Sequence, residues 1–430
     1  MILKKIVLSS FIFSIFFLLF LNLFINDFTE VGILVFIFNI LHIILYHLLL
    51  NKSSYSNQLN LLVSVFIFNI SFLVFLLMIY KIHNNWVFEF TGSDSTNYHY
   101  FSSKYINKSL FEFINHHIGV TKYGIEDIGN IIYITSIYKF INDPIAVRFF
   151  NLFMSLFNCY MIMILSKNIF KIKYFSFVTI AFSISSFNIY YISSGLKEII
   201  FISVILSTYC FYYFIILNNK NIIIKTFLFI ISILSINLFR MPVFIFSLIS
   251  FAITNIKYRI FLSILFLILI SILFLTTDLL LPLSKYFFKS SENLNLTNLL
   301  YSFLSGIFGP FPTYFIQEEF YINNIYAPSL IIKCLISFYF IYALYFIIKN
   351  DEKKFQPILY FSLILIFSLI VIFESFKLRY SIIYLPFFYI LSGYGIELFE
   401  MSNHKYKYVF HNISTLFIFF IVLFWNLLRI

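Results

Sequence analysis

The strongest constraint on this chain is a series of apolar stretches of about 20 residues each, which recur along nearly its whole length. The stretches are rich in Phe, Ile and Leu, and they do not alternate apolar and polar residues with the period of two that membrane strands require. Because lipid cannot hydrogen-bond to the backbone, such stretches must form helices or a closed barrel. We therefore predict an all-α polytopic membrane protein.

The composition supports this prediction. Of the 430 residues, 61% are hydrophobic and only 11% are charged, whereas about 25% of the residues in a soluble domain are charged. The net charge of +11 would suggest nucleic acid as a partner of a soluble protein, but here the basic residues fall in short loops. We therefore expect the lipid bilayer, and no nucleic acid, as a partner. Cys159, Cys210 and Cys334 lie within apolar stretches and are predicted to be packing residues.

The apolar stretches predict about 13 transmembrane helices. In chain order they are Ile6–Ile25, Val31–Leu50, Leu61–Tyr80, Ile145–Leu165, Phe175–Ile192, Ile199–Leu217, Thr226–Phe239, Val243–Thr254, Ile260–Leu275, Leu330–Ile348, Ile358–Phe373, Ser381–Leu398 and Tyr408–Leu428. We predict one integral membrane domain over residues 1–430. Its parts are the first three spans in 3–80, a loop with an acidic motif in 81–142, central spans in 143–275, a second long loop in 276–328 and C-terminal spans in 329–430.

Charge predicts the orientation of these spans. Lysines mark every second loop, beginning with Lys4 and Lys5 before the first span. The positive-inside rule therefore places the amino terminus in the cytoplasm and the two long loops on the opposite, periplasmic face. Loops of about 50 residues are longer than ordinary connections. Since these two are too aromatic for disorder, we expect short helices and a function in them.

The first candidate motif is Gly92-Ser-Asp94-Ser-Thr-Asn-Tyr98-His99. If the stretch after Asp94 is helical, Asp94 and Tyr98 share one face. Asp94 would then lie in the first turn, where the helix dipole favours a carboxylate that can serve as a base or a cation ligand. The alternative is that Ser93 or Asp94 only caps a helix.

Two further motifs lie at span boundaries on the same predicted face. Lys197 and Glu198 stand between two spans with almost no loop, and Arg240 stands beside Pro242 at the break between two short apolar arms. A proline ends a helix, and an arginine at such a break must point into protein or water. The alternative is that these side chains only reach the membrane interface.

The last two motifs lie late in the chain. The segment from Gly306 to Tyr314 holds two glycines and two prolines, which exclude a regular helix and predict a shaped loop. Lys377, Arg379 and Tyr380 enter a predicted span, and arginine offers a planar fork that suits two phosphate oxygens.

Together these motifs place carboxylates, cations and aromatic rings on one membrane face. That inventory suits a substrate with an anionic group and hydroxyls, such as a phosphate-linked sugar on a lipid carrier. No P-loop, G-x-G-x-x-G, H-E-x-x-H or G-x-S-x-G motif occurs, so nucleotide-driven and protease chemistry have no support.

On these motifs, together with Phe308-Gly-Pro-Phe-Pro312 and Leu385-Pro386, the chain resembles the polytopic GT-C-type glycosyltransferases, and most of all the O-antigen and capsule repeat-unit polymerases. The resemblance covers the layout of most of the chain but only about a dozen positions. It implies a GT-C-like fold in a bacterial inner membrane and transfer of a glycan from a polyprenyl diphosphate carrier to a sugar hydroxyl on the periplasmic face.

The resemblance also implies roles for individual residues. Asp94, with His99 supporting it and Glu198 nearby, would be catalytic, activating the acceptor or holding a cation. Binding of the diphosphate and substrate would fall to a second set, made up of Lys197, Arg240, Lys377, Arg379, Tyr380, Tyr98 and Tyr314. The implied partners are the polyprenyl-diphosphate-linked glycan and a chain-length regulator or flippase.

Two departures from the family pattern bear on these expectations. The first long loop has no Asp-Glu or Asp-x-Asp pair, which leaves a divalent cation as cofactor open. Three predicted spans precede this loop, where single-sugar transferases usually have one, and this favours a polymerase over a transferase that adds one sugar from a polyprenyl phosphate. A lipid-linked oligosaccharide flippase and a structural subunit remain as alternatives from other classes.

Overall fold

The computed structural model describes residues 2–25, 29–51, 57–90, 93–109, 112, 127–217, 221–254, 296–314, 321–372, 377–402 and 406–428, and it forms helices but no strand in these ranges. The helices are α1 (Ile2–Ile25), α2 (Glu30–Asn51), α3 (Gln58–Asn84), α4 (Ser93–Lys104), α5 (Ile128–Tyr138), α6 (Pro144–Met163, continued by a π-helical turn over Ile164–Ile169), α7 (Phe175–Ser183), α8 (Ser186–Ser194), α9 (Glu198–Leu217), α10 (Ile222–Asn237), α11 (Met241–Thr254), α12 (Leu296–Ile307), α13 (Tyr321–Lys349), α14 (Gln356–Val371), α15 (Leu378–Ser381), α16 (Leu385–Met401) and α17 (Lys407–Leu427). The prediction of an all-α protein with membrane-type helices is confirmed.

The number of membrane crossings differs from the expectation. Seven of the described helices are long and apolar enough to cross a membrane, and an eighth crossing results if α7 and α8 form one bent span. The helices α10, α11 and α14 contain 16, 14 and 16 residues, fewer than the roughly 20 that a bilayer requires. The predicted span Ile260–Leu275 lies outside the described residues. The predicted total of about 13 crossings is therefore not confirmed.

The 29-residue helix α13 packs against α1, α2, α8 and α16 at the centre of the bundle. Pro328 lies inside α13, and proline has no backbone N–H to donate to the carbonyl four residues earlier. That carbonyl, on Asn324, instead accepts a hydrogen bond from Nδ2 of Asn39 in α2 at 3.2 Å. A side chain of a neighbouring helix thus replaces the lost backbone donor, as burial in an apolar environment requires.

The helices α7 and α8 meet at a bend of 45°. The bend frees carbonyls at the end of α7, and helices on two sides supply donors for them. Asn69 of α3 donates from Nδ2 to the Ser183 carbonyl at 3.0 Å, and Nε2 of His42 in α2 lies 3.0 Å from the Ile184 carbonyl. The break is therefore held by side chains buried in the bundle, which is where irregular backbone is tolerated within a membrane.

Helix ends gather at two opposite ends of the bundle. At one end the backbone N–H of Ile2 donates to Oε1 of Glu400 at 2.8 Å, and the backbone N–H of Lys173 donates to Oε2 of Glu397 at 2.8 Å. The starts of α1 and α7 thus lie beside the end of α16. We call this the basic end, after its lysines Lys4, Lys5, Lys173, Lys353, Lys354 and Lys407.

The other end collects the starts of α2, α4, α9, α13 and α15. Thr29 Oγ1 and Tyr321 Oη lie 2.8 Å apart, which joins the start of α2 to the start of α13. We call it the site end, after the charged residues Glu89, Asp94, Asp127, Lys197, Glu198, Arg240, Lys377 and Arg379. The sequence-based separation of lysine-rich loops from the polar motifs corresponds to these two ends.

Candidate functional site

The turn between α8 and α9 positions two of the predicted site residues. Gly195 ends α8 with φ of +72°, the left-handed conformation that glycine adopts without steric cost. A Cβ at this position would lie 2.7 Å from Nη1 of Arg148. The tight turn lets α9 begin at Glu198, so that Lys197 and Glu198 enter the bundle and are only 5% and 2% exposed.

Arg148, in the first turns of α6, secures this turn and was not singled out from the sequence. Its guanidinium donates from Nε to the Ser193 carbonyl and from Nη2 to the Ser194 carbonyl, each at 3.2 Å, and from Nη1 to the Pro144 carbonyl at 2.9 Å. It also lies over the ring of Phe88, 5.0 Å from its centroid. Arg148 therefore satisfies the carbonyls that the end of α8 leaves without helical partners.

Three predicted site residues meet in one ion cluster. Arg379 Nε donates to Glu198 Oε1 at 2.9 Å, and Arg379 Nη1 donates to Asp94 Oδ2. The Arg379 side chain is 33% exposed, whereas that of Glu198 is 2% exposed. Burial would lower the pKa of Arg379, but the two carboxylates outweigh it and raise that pKa. The cluster joins α4, α9 and α15, so the structure brings Asp94, Glu198 and Arg379 together.

A second ion pair lies beside this cluster. Lys197 donates from Nζ to Oδ1 of Asp127 and lies 3.5 Å from the Phe239 carbonyl. Burial and the nearby Arg240 lower the pKa of Lys197, while Asp127 and Glu198 act in the opposite direction. Asp127 was not predicted, because an aspartate at the end of a long polar interval carries no local signal of its partner.

Arg240 connects the break between α10 and α11 to the late motif. Its guanidinium lies 4.7 Å from the centroid of the Tyr380 ring, and Lys377 Nζ lies 5.9 Å from the same centroid. Cations above an aromatic face are attracted by the negative charge of the ring face. Arg240, Lys377 and Tyr380 thus form one cationic group next to Arg379.

Asp94 opens α4, as the sequence predicts, and the rest of this helix is anchored by aromatic side chains. Nδ1 of His99 lies 2.7 Å from the Tyr138 hydroxyl, and burial and Arg148 lower the pKa of His99. The described contacts of His99 are with Tyr138 and Phe88, so its predicted support of Asp94 is not seen among them. Tyr98 is mostly buried, and burial raises the pKa of its hydroxyl.

A cavity of about 390 Å³ opens beside the ion cluster. Its charged lining consists of two carboxylates, Glu89 and Asp94, and two cations, Lys377 and Arg379. The aromatic residues of its wall are Tyr190, Tyr191, Phe311, Tyr326 and Trp425. The cavity therefore combines fixed charges of both signs with flat apolar faces, in a volume typical of small-molecule sites.

The loop after α12 forms one wall of this cavity through Pro310, Phe311 and Thr313. Trp425 Nε1 donates to Thr313 Oγ1 at 3.2 Å, which ties the loop to the end of α17. Tyr314 is fully buried and its ring stacks on Phe17 with centroids 6.2 Å apart. The predicted binding residue Tyr314 thus packs between the loop and α1 and is not part of the cavity lining.

Lys333, in the middle of α13, holds the same loop from behind. Its ammonium group donates to the Ile307 carbonyl at 3.2 Å and to the Gly309 carbonyl, and it lies 4.6 Å from the centroid of the Phe388 ring. Lys333 is completely buried. Lys333 and Arg148 are thus two cations within predicted spans, and each donates hydrogen bonds to backbone carbonyls.

Parts of the two predicted long loops, 81–142 and 276–328, lie outside the described residues, and these parts include His116, His117, Gln317, Glu318 and Glu319. Glu374, before the late motif, also lies outside them. Among the residues that the structure does describe, no group of three or more His, Cys, Asp or Glu could hold a metal ion. The divalent cation left open by the sequence stays a prediction.

No family model, no curated protein and no solved structure matches the chain.

Proposed function

We propose that this chain is a membrane glycosyltransferase that polymerises oligosaccharide repeat units carried on polyprenyl diphosphate. The observation that carries the proposal is the cavity of about 390 Å³ at the site end, which is lined by the cations Lys377 and Arg379 and by the carboxylates Asp94 and Glu89. A glycan on a diphosphate carrier offers an anionic group for the cations, hydroxyls for the carboxylates and flat ring faces for the tyrosines and Trp425.

The cations would serve the departing diphosphate. When the bond between the donor sugar and the diphosphate breaks, negative charge builds up on the phosphate oxygen. Cations that are already fixed in place stabilise such charge without reorganising. Arg379 is fixed by Glu198 at 2.9 Å, and Lys377 and Arg240 are held at the face of Tyr380. Asp94 orients Arg379 through their shared ion pair.

The arrangement of charge favours transfer over transport. A flippase is expected to expose cations in a cavity that runs through the middle of its spans. The two cations buried within described helices, Arg148 and Lys333, are instead engaged with backbone carbonyls of the α8–α9 turn and of the loop after α12. The cations that line the cavity, Lys377 and Arg379, belong to the site end.

The sidedness follows from the same proposal. With the basic end in the cytoplasm, the site end faces the periplasm of a bacterial inner membrane, where repeat units are joined. The prenyl chain of the donor would lie in the bilayer, and a chain-length regulator or flippase would be a neighbour. A transferase that adds one sugar from a polyprenyl phosphate is the second candidate, since one phosphate would satisfy the same cations.

The lipid-linked intermediates of a host that lacks this protein test the proposal. A polymerase predicts that complete repeat units accumulate on the carrier at the periplasmic leaflet, and that the intact chain restores long polysaccharide. Asp94→Ala and Arg379→Ala should fail to restore it, while Lys353→Ala at the basic end should restore it fully. Membrane levels of each variant are measured by immunoblot.

Each of the other outcomes has a separate meaning. A truncated unit would identify the single-sugar transferase, and a complete unit trapped on the cytosolic leaflet would identify a flippase. Polysaccharide of normal length from stable Asp94→Ala and Arg379→Ala proteins would refute the proposed site.

A further inference from the structure

A second carboxylate lines the cavity, and the sequence motifs do not include it. Glu89 lies in the short connection between α3 and α4, and its side chain is 1% exposed although it contributes to the cavity lining. Ser95 donates from Oγ to Oε2 of Glu89. Asn84 donates from Nδ2 to the carbonyls of Phe88 and Glu89 at 3.2 and 3.1 Å, which fixes the backbone on which this carboxylate stands.

Two other carboxylates of the site, Asp94 and Glu198, are already engaged with Arg379. Asp94 shares an ion pair with Nη1 of Arg379. Glu198 accepts from Nε of the same guanidinium at 2.9 Å and is not part of the cavity lining. Protonation of either one would remove a negative partner from Arg379, which costs free energy. Glu89 can take up a proton without breaking an ion pair among the described residues.

The surroundings of Glu89 also suit a proton acceptor. Burial raises the pKa of this carboxyl, and Asp94 adds to the increase, while the Ser95 hydroxyl, a backbone N–H and Arg148 act in the opposite direction. The titratable and charged groups that face it from the surrounding elements are Tyr80 of α3, Asp94 of α4, Arg148 of α6 and Tyr190 of α8. A carboxylate base works best when its pKa has moved up toward the working pH.

We propose that Glu89 is the general base of the transfer. This inference rests on the proposed function. The acceptor hydroxyl oxygen forms a bond to the anomeric carbon of the donor sugar, and the bond from that carbon to the phosphate oxygen breaks. Its electron pair leaves with the polyprenyl diphosphate, near Lys377 and Arg379. The hydroxyl proton passes to the Glu89 carboxylate, so that atoms and charge balance.

The test uses the full-length protein in lipid nanodiscs with a polyprenyl-diphosphate-linked repeat unit as both donor and acceptor. Glu89→Gln keeps the size and the contact with Ser95 but cannot accept the proton. We expect kcat to fall by about 100-fold or more with KM changed by less than about threefold, the range for loss of a general base. Glu112→Gln, which changes an exposed carboxylate outside the cavity, should leave kcat unchanged.

The pH profile separates a base from a merely structural glutamate. Activity should require the deprotonated form and should therefore fall as the pH drops through the pKa of Glu89. Ser95→Ala removes a hydrogen bond that lowers this pKa, so the acidic limb of the kcat profile should move to higher pH. If Glu89→Gln does not fold, as judged by thermal melting, Glu89→Asp and Ser95→Ala still provide this test.

The outcomes distinguish the two proposals. If the unmodified protein transfers glycan, Arg379→Ala does not, and Glu89→Gln keeps normal kcat, the base assignment fails while the proposed function stands. A donor diphosphate that displaces Asp94 from Arg379 would make Asp94 the base. In that case Asp94→Asn, and not Glu89→Gln, would lower kcat at constant KM, and Glu89 would be excluded. If the unmodified protein transfers no glycan, the proposed function itself fails.

Discussion

The two ends of the bundle use the same residue types in different ways. At the basic end, Lys353 and Asp351 approach to 4.0 Å, with side chains that are 76% and 68% exposed. At the site end, Arg379 bridges two carboxylates from distant parts of the chain, one of them 2% exposed. Water screens the first pair, so it contributes little. The Arg379 cluster is partly removed from water, so the loss of one of its charges would leave an oppositely charged group buried without a partner.

This difference shows where charged side chains depend on one another's positions. The lysines at the basic end follow the positive-inside rule. That rule depends on which loops carry the lysines and does not require specific contacts between side chains. At the site end, carboxylates and guanidinium groups must also lie close enough to form ion pairs with one another. The contrast therefore identifies the site end as the place where substitutions have large effects.

Labelling with a membrane-impermeant thiol reagent gives the sharpest contrast between the two ends. Tyr100 at the site end is 62% exposed and Met401 at the basic end is 72% exposed. We expect complete labelling of Tyr100→Cys and no labelling of Met401→Cys when the reagent reaches only the periplasmic face. All three native cysteines are buried, so the background should be low. Equal labelling of both variants, or the reverse pattern, would contradict the proposed orientation.

The next largest effect is expected from breaking the Arg379 cluster. Arg379→Met leaves Glu198 buried without its partner, and we expect the free energy of unfolding to fall by about 3–5 kcal/mol. The double variant Arg379→Met/Glu198→Gln should regain part of this loss, because the unpaired charge is then absent. Thermal melting in detergent measures both. Strictly additive losses would show that the two side chains are not coupled.

A smaller effect is expected at the turn that carries Lys197 and Glu198. Gly195→Ala places a Cβ at a left-handed φ and 2.7 Å from Nη1 of Arg148. We expect a loss of about 1–3 kcal/mol in the free energy of unfolding, together with reduced transfer. Ser71→Ala, on the exposed face of α3, serves as the control. An unchanged melting temperature for Gly195→Ala would mean that the turn adapts easily.

The smallest effect should come from the basic end. Lys353→Ala removes an ion pair that is exposed to water at 4.0 Å, and we expect no measurable change in melting temperature or in transfer. The same measurements as for Arg379→Met apply. A loss comparable to that of Arg379→Met would remove the distinction between the two ends.

The sequence was sufficient to predict that four of the charged residues meet at the site end. Asp94, Glu198, Arg240 and Arg379 all stand near helix ends that follow or precede an apolar run. In a membrane bundle, alternate helix ends lie on the same side, so counting spans brings these residues to one end. Their contacts within that end depend on how the helices pack, and the sequence does not predict them. One example is the pairing of both Asp94 and Glu198 with the guanidinium of Arg379.

The residues that the sequence did not reveal are those whose role depends on a partner far along the chain. In the sequence, Lys333 is an isolated charge within an apolar run. In the structure it donates hydrogen bonds to the carbonyls of Ile307 and Gly309, at the start of the loop after α12. Arg148 likewise serves the end of α8, 45 residues later. Glu89 precedes the motif that begins at Gly92, and the cavity that it lines is formed by residues from distant parts of the chain. The predicted total of about 13 crossings is not confirmed among the described residues, because apolar composition indicates a helix without fixing its length.

The bridge made by Arg379 also has a consequence for biosynthesis. Its two carboxylate partners lie 285 and 181 residues earlier in the chain. The ribosome therefore synthesises Asp94 and Glu198 long before Arg379, and neither carboxylate has this partner while the intervening helices are being made. The ion cluster can form only after Arg379, in the last third of the polypeptide, has been made, so a nascent chain cannot assemble it early.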